Sequence, residues 1–125
     1  MREVITLTLP ALPDSIPVAR HVLDRLEDSL EEPLLDDLRL LVSEVVTNSI
    51  RHGPGGQIVE LRVSANGQGV RVEVEDAGSG FEPPVQQDTE RAAGWGLMLV
   101  DRIADRWGIS SGHTTTVWFE IDRRA

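Results

Sequence analysis

The chain has 125 residues, 40% of them hydrophobic, enough for one domain with its own core and too apolar for a disordered chain. Twelve basic side chains against 21 acidic ones give a net charge of −9, which repels nucleic acid and leaves any nucleotide to be held by local amides and a bridging metal. The absence of cysteine excludes disulfides and thiolate chemistry, and no apolar run approaches the roughly 20 residues needed to span a bilayer.

The first residues, Met1 to Leu7, lack the apolar block of a signal peptide, so a cytoplasmic, membrane-free protein is expected. Residues 4–9 alternate, with Ile5, Leu7 and Leu9 on one side and Thr6 and Thr8 on the other, which predicts a strand ended by Pro10 and Pro13. Asp14 or Ser15 is placed to cap a helix with Pro17 in its first turn. Ala19, Val22, Leu23, Leu26 and Leu30 then recur at helical spacing.

Glu31-Glu32-Pro33 breaks that helix and begins another, whose buried stripe is Leu34, Leu38, Leu41, Val42, Val45 and Ser49. Gly53-Pro54-Gly55-Gly56 ends it. Residues 58–65 and 70–76 alternate as two strands joined by the turn Asn66-Gly67-Gln68-Gly69. Residues 77–94 lose all periodicity, and so long a loop within a small domain is usually functional. A helix is expected over 95–106, then strands over 107–111 and 115–122. The order predicts an α+β fold: a two-layer sandwich with helices on one face of a mostly antiparallel sheet, all within a single domain, 1–125.

Four features carry chemistry. Asp76 continues the inward set Val70, Val72, Val74, so alternation aims its carboxylate at the helix layer. A buried carboxylate needs a partner, and an exocyclic amine such as that of adenine is suitable. Asp76 can equally begin a turn, since Asp-x-Gly is common turn chemistry. Glu44 and Asn48 lie four apart and share one helix face, where an amide oxygen and a carboxylate can hold Mg²⁺ and position an attacking group; a solvated face with an incidental Asn is the plainer alternative. Gly94-Trp95-Gly96-Leu97 opens a helix after the long loop, where backbone amides favour phosphate, although Gly-x-Gly alone is also an ordinary loop. Thr115 shares parity with Val117 and Phe119, which turns its hydroxyl to the side of Asp76; threonine is also simply a good strand residue.

Taken together and in order, these segments resemble the ordered boxes of the GHKL, or Bergerat, nucleotide-binding fold. Ser43 to Gly53, Asp76-Ala77-Gly78-Ser79-Gly80-Phe81, Gly94 to Val100 and Thr116 to Glu120 are similar to the bacterial anti-sigma-factor serine kinases. The resemblance implies bound ATP and Mg²⁺, with Asp76 contacting the adenine amine, Asn48 ligating the metal and Glu44 acting as general base toward a substrate serine. It implies that Gly78 and Gly80 let the loop approach the nucleotide. Gly94, Gly96 and Leu97 would offer backbone to the phosphates, and Thr115 a hydroxyl. It implies as partners a STAS-type anti-anti-sigma protein and a sigma factor, and a homodimer. The last motif departs from the family, which often has adjacent glycines before the threonines where this chain has Gly112-His113-Thr114-Thr115-Thr116; which threonine reaches the ligand stays open. An ATP-binding regulatory module with little or no kinase activity is the alternative function. Glu44, rather than an Asn four residues before Asn48, argues against the catalytic domain of a sensor histidine kinase.

Overall fold

Period-two alternation in the sequence becomes five strands, and period-3.6 stripes become the helices that cover one side of them. The computed structural model describes residues 2–52, 57–76 and 97–123. In chain order the elements are β1 (Glu3–Pro10), α1 (Ser15–Val22), a 3-10 turn (Leu23–Leu26), α2 (Glu32–His52), β2 (Ile58–Ala65), β3 (Gly69–Asp76), α3 (Met98–Ile103), β4 (Arg106–Ser111) and β5 (Thr115–Asp122). The strands form one sheet in the order β1-β2-β3-β5-β4, and every pairing is antiparallel. The expected α+β sandwich is therefore the observed architecture.

Register keeps the apolar sets together. Ile5, Leu7 and Leu9 pair with Val63, Leu61 and Val59, which pair in turn with Val72, Val74 and Asp76. Val70, Val72 and Val74 face Ile121, Phe119 and Val117 on β5. A one-residue slip would turn these sets to the other face, so the buried layer pins the register. The α2 stripe closes over them: Leu34, Leu38, Leu41, Val42, Val45 and Ser49 are all buried. Each buried Leu or Val contributes about 1.5–3 kcal/mol through removal of its surface from water. At the β2–β3 turn, Asn66 accepts hydrogen bonds from the Gln68 and Gly69 amides at 2.7 and 3.1 Å. Gly69 is required there, because a Cβ would sit 2.5 Å from the Ile121 carbonyl oxygen.

Three local expectations are corrected. Neither Asp14 nor Ser15 caps α1 through its side chain; Ser15 Oγ instead donates to the Pro10 carbonyl at 2.7 Å and closes the β1–α1 turn. The first helix does not run on to Leu30. After Val22 it tightens into the 3-10 turn, which lines up residues three apart and buries Leu23 and Leu26 together. Arg39 of α2 donates to Asp24 at 2.7 Å and fastens this turn. The third helix, expected to reach residue 106, ends at Ile103, where Ala104 turns to extended backbone. The Asp105 amide is drawn to the Glu120 carbonyl at 2.9 Å and the Asp105 carboxylate accepts from the Asp122 amide at 2.7 Å, so the sheet takes the chain from the helix.

Candidate nucleotide site

Three polar side chains are buried at one end of the sandwich. Asp76, the last residue of β3, is 5% exposed; Thr115, the first of β5, is 4% exposed; Asn48, in the last turns of α2, is 5% exposed. Asp76 and Thr115 are direct cross-strand partners, and β3 is the central strand of the sheet. Parity thus does what the sequence predicted: both side chains face the helix layer.

Chain direction brings Asn48 to the same end. The start of α2, at Leu34, shares a cavity wall with Ile121 and Asp122 at the far end of β5. From Leu34 to Asn48 the helix rises about 21 Å, at about 1.5 Å per residue. Travelling back along β5 from Ile121 to Thr115 covers about 20 Å, at about 3.3 Å per residue. Asn48 therefore arrives level with the Asp76–Thr115 pair. Glu44 lies one helical turn earlier and is half-buried.

Asn48 Nδ2 and Ser43 Oγ are buried and make no hydrogen bond among the described residues. Unsatisfied buried polar groups are rare because each costs roughly 1–3 kcal/mol. An amide left unsatisfied next to a buried carboxylate and a buried hydroxyl marks a place prepared for a polar ligand. Ser43 was not singled out by the sequence reading. It lies beside the apolar stripe of α2 and is half-buried, so helical spacing does not mark it, and only the structure exposes its orphaned hydroxyl.

The donor set also bears on a metal. Among the described residues no group of three or more His, Asp or Glu side chains could cage a cation. Mg²⁺ does not require one, since it commonly takes one or two protein oxygens and completes its shell with phosphates and water. An Asn amide carries one oxygen able to take that role, while the orphaned Asn48 atom is the nitrogen, a donor suited to an anionic oxygen.

The opposite face of the sheet shows how the threonines are turned. Thr114 Oγ1 donates to Glu75 Oε2 at 2.5 Å, so Thr114 points away from Asp76 and Thr115 is the inward member. Arg62 binds Glu73 at 2.9 Å and Glu75 at 3.0 Å and also contacts Glu60. Arg71 joins Glu73 to Glu120 and lies 4.5 Å from the centre of the Trp118 ring. The Thr114 hydroxyl, followed by Arg62, holds the Glu75 carboxyl below its ordinary value. Burial pushes the Glu73 carboxyl up, but Arg62 and Arg71 outweigh it and hold it low. The outer sheet face is thus an ionic lattice satisfied by its own members, while the orphaned groups lie on α2, which covers the other face.

The expected contacts at Gly78, Gly80, Gly94 and Gly96 lie outside the described residues, as do 53–56 and the rest of 77–96. Leu97 is described: its side chain is fully buried and its carbonyl accepts from the Asp101 amide at 3.0 Å, opening α3. A cavity of about 610 Å³ lies beside Leu7, Pro17, Val18 and Val22, away from Asp76 and Thr115. The site therefore rests on its buried polar side chains.

Comparison with known proteins agrees with this geometry. Residues 9–121 match the histidine kinase-like ATPase domain. The serine-protein kinase RsbW of Listeria monocytogenes serotype 4a is 30% identical over 122 aligned positions, covering 84% of this chain and 78% of the relative. That of Listeria innocua serovar 6a is likewise 30% identical, with the same coverage. The crystal structure of the RsbU and RsbW domains of Rv1364c from Mycobacterium tuberculosis superposes with a TM-score of 0.70 at 22% identity, over 98% of this chain and 34% of that one. This chain thus spans about a third of that two-domain chain, and the likeness there is one of fold. On the strength of the domain match and the kinase relatives, the chain belongs to the histidine kinase-like ATPase domain family, on the branch that carries the RsbW serine-protein kinases.

Proposed function

We propose that the protein is an ATP-dependent protein serine kinase that phosphorylates a STAS-type anti-anti-sigma protein and sequesters a sigma factor, acting in the cytoplasm as a homodimer. The observation that carries the nucleotide reading is the buried Asp76–Thr115 pair level with the orphaned amide of Asn48. The kinase relatives support the transfer reading.

In this reading the Asp76 carboxylate accepts from the exocyclic amine of adenine, a charge-assisted bond inside a low-dielectric site. The Thr115 hydroxyl, across the ladder from Asp76, completes the base-reading pair; its register favours this over a contact with phosphate. The Asn48 amide oxygen would hold Mg²⁺, which when bound offsets charge on the phosphate oxygens. Gly78 and Gly80 would let the loop approach the nucleotide, and Gly94, Gly96 and Leu97 would offer backbone amides to the phosphates. Glu44, one turn before Asn48 and half-buried, takes the proton from the substrate serine. The serine oxygen bonds the γ-phosphorus as the bond to the β–γ bridging oxygen breaks, and ADP leaves.

The test is transfer of labelled phosphate from ATP to a serine of a STAS-type protein. Glu44→Gln is expected to bind Mg-ATP like the wild type and to lose transfer by about 10²- to 10⁴-fold. A wild type that binds ATP but labels no such protein favours the regulatory module instead.

A further inference from the structure

Adjacent strand residues face opposite sides, so what fixes one on the outer face also fixes its neighbour on the inner face. The pair of interest, Asp76 and Thr115, forms the last rung of the β3–β5 ladder on the side of the site. End rungs are where ladders open most readily. On the outer face Glu75 precedes Asp76 on β3 and pairs with Thr116 of β5, and it also accepts a 2.5 Å hydrogen bond from the hydroxyl of Thr114, the residue immediately before β5. The second Glu75 oxygen is held by Arg62 Nη1 at 3.0 Å, and Arg62 is braced in turn by Glu73 and Glu60. The carboxylate therefore cannot swing away from Thr114 without breaking a second bond. The Gly112 amide donates to the Thr114 carbonyl at 3.0 Å and sets the turn that delivers Thr114 to this place.

We infer that Thr114, Glu75 and Arg62 form a clamp on the outer sheet face that holds Thr115 against Asp76 and thereby sets the selectivity of the site for adenine. Thr114 and Glu75 are positioning residues: they touch no ligand and act through the pair on the other side of the sheet. The inference rests on the reading of Asp76 and Thr115 as the base-contacting pair.

The experiment measures the ratio of ATP to ITP affinity by calorimetry on the full chain, since ITP carries an oxygen where ATP carries the exocyclic amine. Melting curves accompany each titration. The wild type is expected to prefer ATP. Thr114→Val, which keeps the shape and removes the hydroxyl, is expected to shrink the ATP-to-ITP ratio by about five- to tenfold, the scale of one hydrogen bond. Thr114→Ser, which keeps the hydroxyl, is expected to restore the ratio. A merely structural role would lower the melting temperature of Thr114→Val and leave the ratio intact, and that result overturns the clamp. Should Thr114→Val fail to fold, Glu75→Gln reads the same ratio, with an expected loss of about two- to threefold from the weaker neutral bond; an unchanged ratio there also overturns it. A wild type that binds ATP and ITP equally removes the base-reading role of Asp76, and the clamp with it.

Discussion

The two ends of the sandwich differ in one buried polar group, the Asn48 amide. At the end formed by the β2–β3 turn, polar groups are tied to the protein itself. Asn66 closes its turn through two backbone amides, and Arg123 donates to the Asn66 and Ser29 carbonyls at 3.0 and 2.7 Å and meets Glu31 at 3.3 Å. At the other end Asn48 is buried with its amide nitrogen unsatisfied among the described residues, level with a buried carboxylate and a buried hydroxyl. The contrast sets hydrogen-bonded groups that close the β2–β3 end against one amide that finds no partner among the described residues. Stability and binding should accordingly part company when the two ends are mutated.

The strongest way to break that contrast is Asn48→Leu. Filling the position with an apolar side chain of similar size removes an unsatisfied amide, so the melting temperature is expected to hold or rise, by about 1 kcal/mol of stability. Mg-ATP affinity is expected to fall by about 10- to 100-fold, the range seen when groups that support a bound metal are removed. Calorimetry and thermal melting on the same preparation check both. A large loss of stability would place Asn48 among the structural residues.

The converse change is Arg123→Ala at the other end. It is expected to cost about 1–2 kcal/mol through lost hydrogen bonds, read as a lower denaturation midpoint, and to leave ATP affinity unchanged. Reduced affinity in this variant would mean that the two ends are coupled.

The smallest effect is expected from the outer sheet face. Glu73, Glu75 and Glu120 are held below the ordinary carboxyl value, Glu73 against the pull of its burial and Glu120 by Arg106 and Arg71. Because the folded values lie below the unfolded ones, near about 4.3, their stabilisation is complete above that pH and is lost as pH falls through the folded values. Melting temperature should therefore stay flat from pH 7 to about 5 and decline below about 4.3. Glu73→Gln should flatten that decline slightly, since part-exposed ion pairs contribute little each.

Much of this was legible before any coordinates. Residues 58–65 and 115–122 alternate so regularly that their strands have the predicted bounds, because one face is buried and any slip is costly. The α2 stripe was equally plain, since six positions at helical spacing all reach the core. What was not legible depends on contacts between distant residues. The early end of α3 follows from the Asp105–Glu120 and Asp105–Asp122 hydrogen bonds, which no local pattern announces. The 3-10 turn at Leu23–Leu26 has the same apolar spacing as a continuing helix. Parity predicts the inward facing of Asp76 and Thr115 that the structure has, and spacing puts Glu44 and Asn48 one turn apart on α2. The Glu75–Thr114 bond joins residues 39 apart in sequence and needed the ladder register to be known.

The central claim is that Asp76 is buried in order to read adenine. Calorimetric titration of the wild type and Asp76→Asn with ATP in the presence of Mg²⁺ tests it most directly. The amide keeps the shape but replaces a charged acceptor, so affinity is expected to fall by about 10- to 100-fold, the scale of a hydrogen bond to a charged group. Wild-type affinity in Asp76→Asn would contradict the claim.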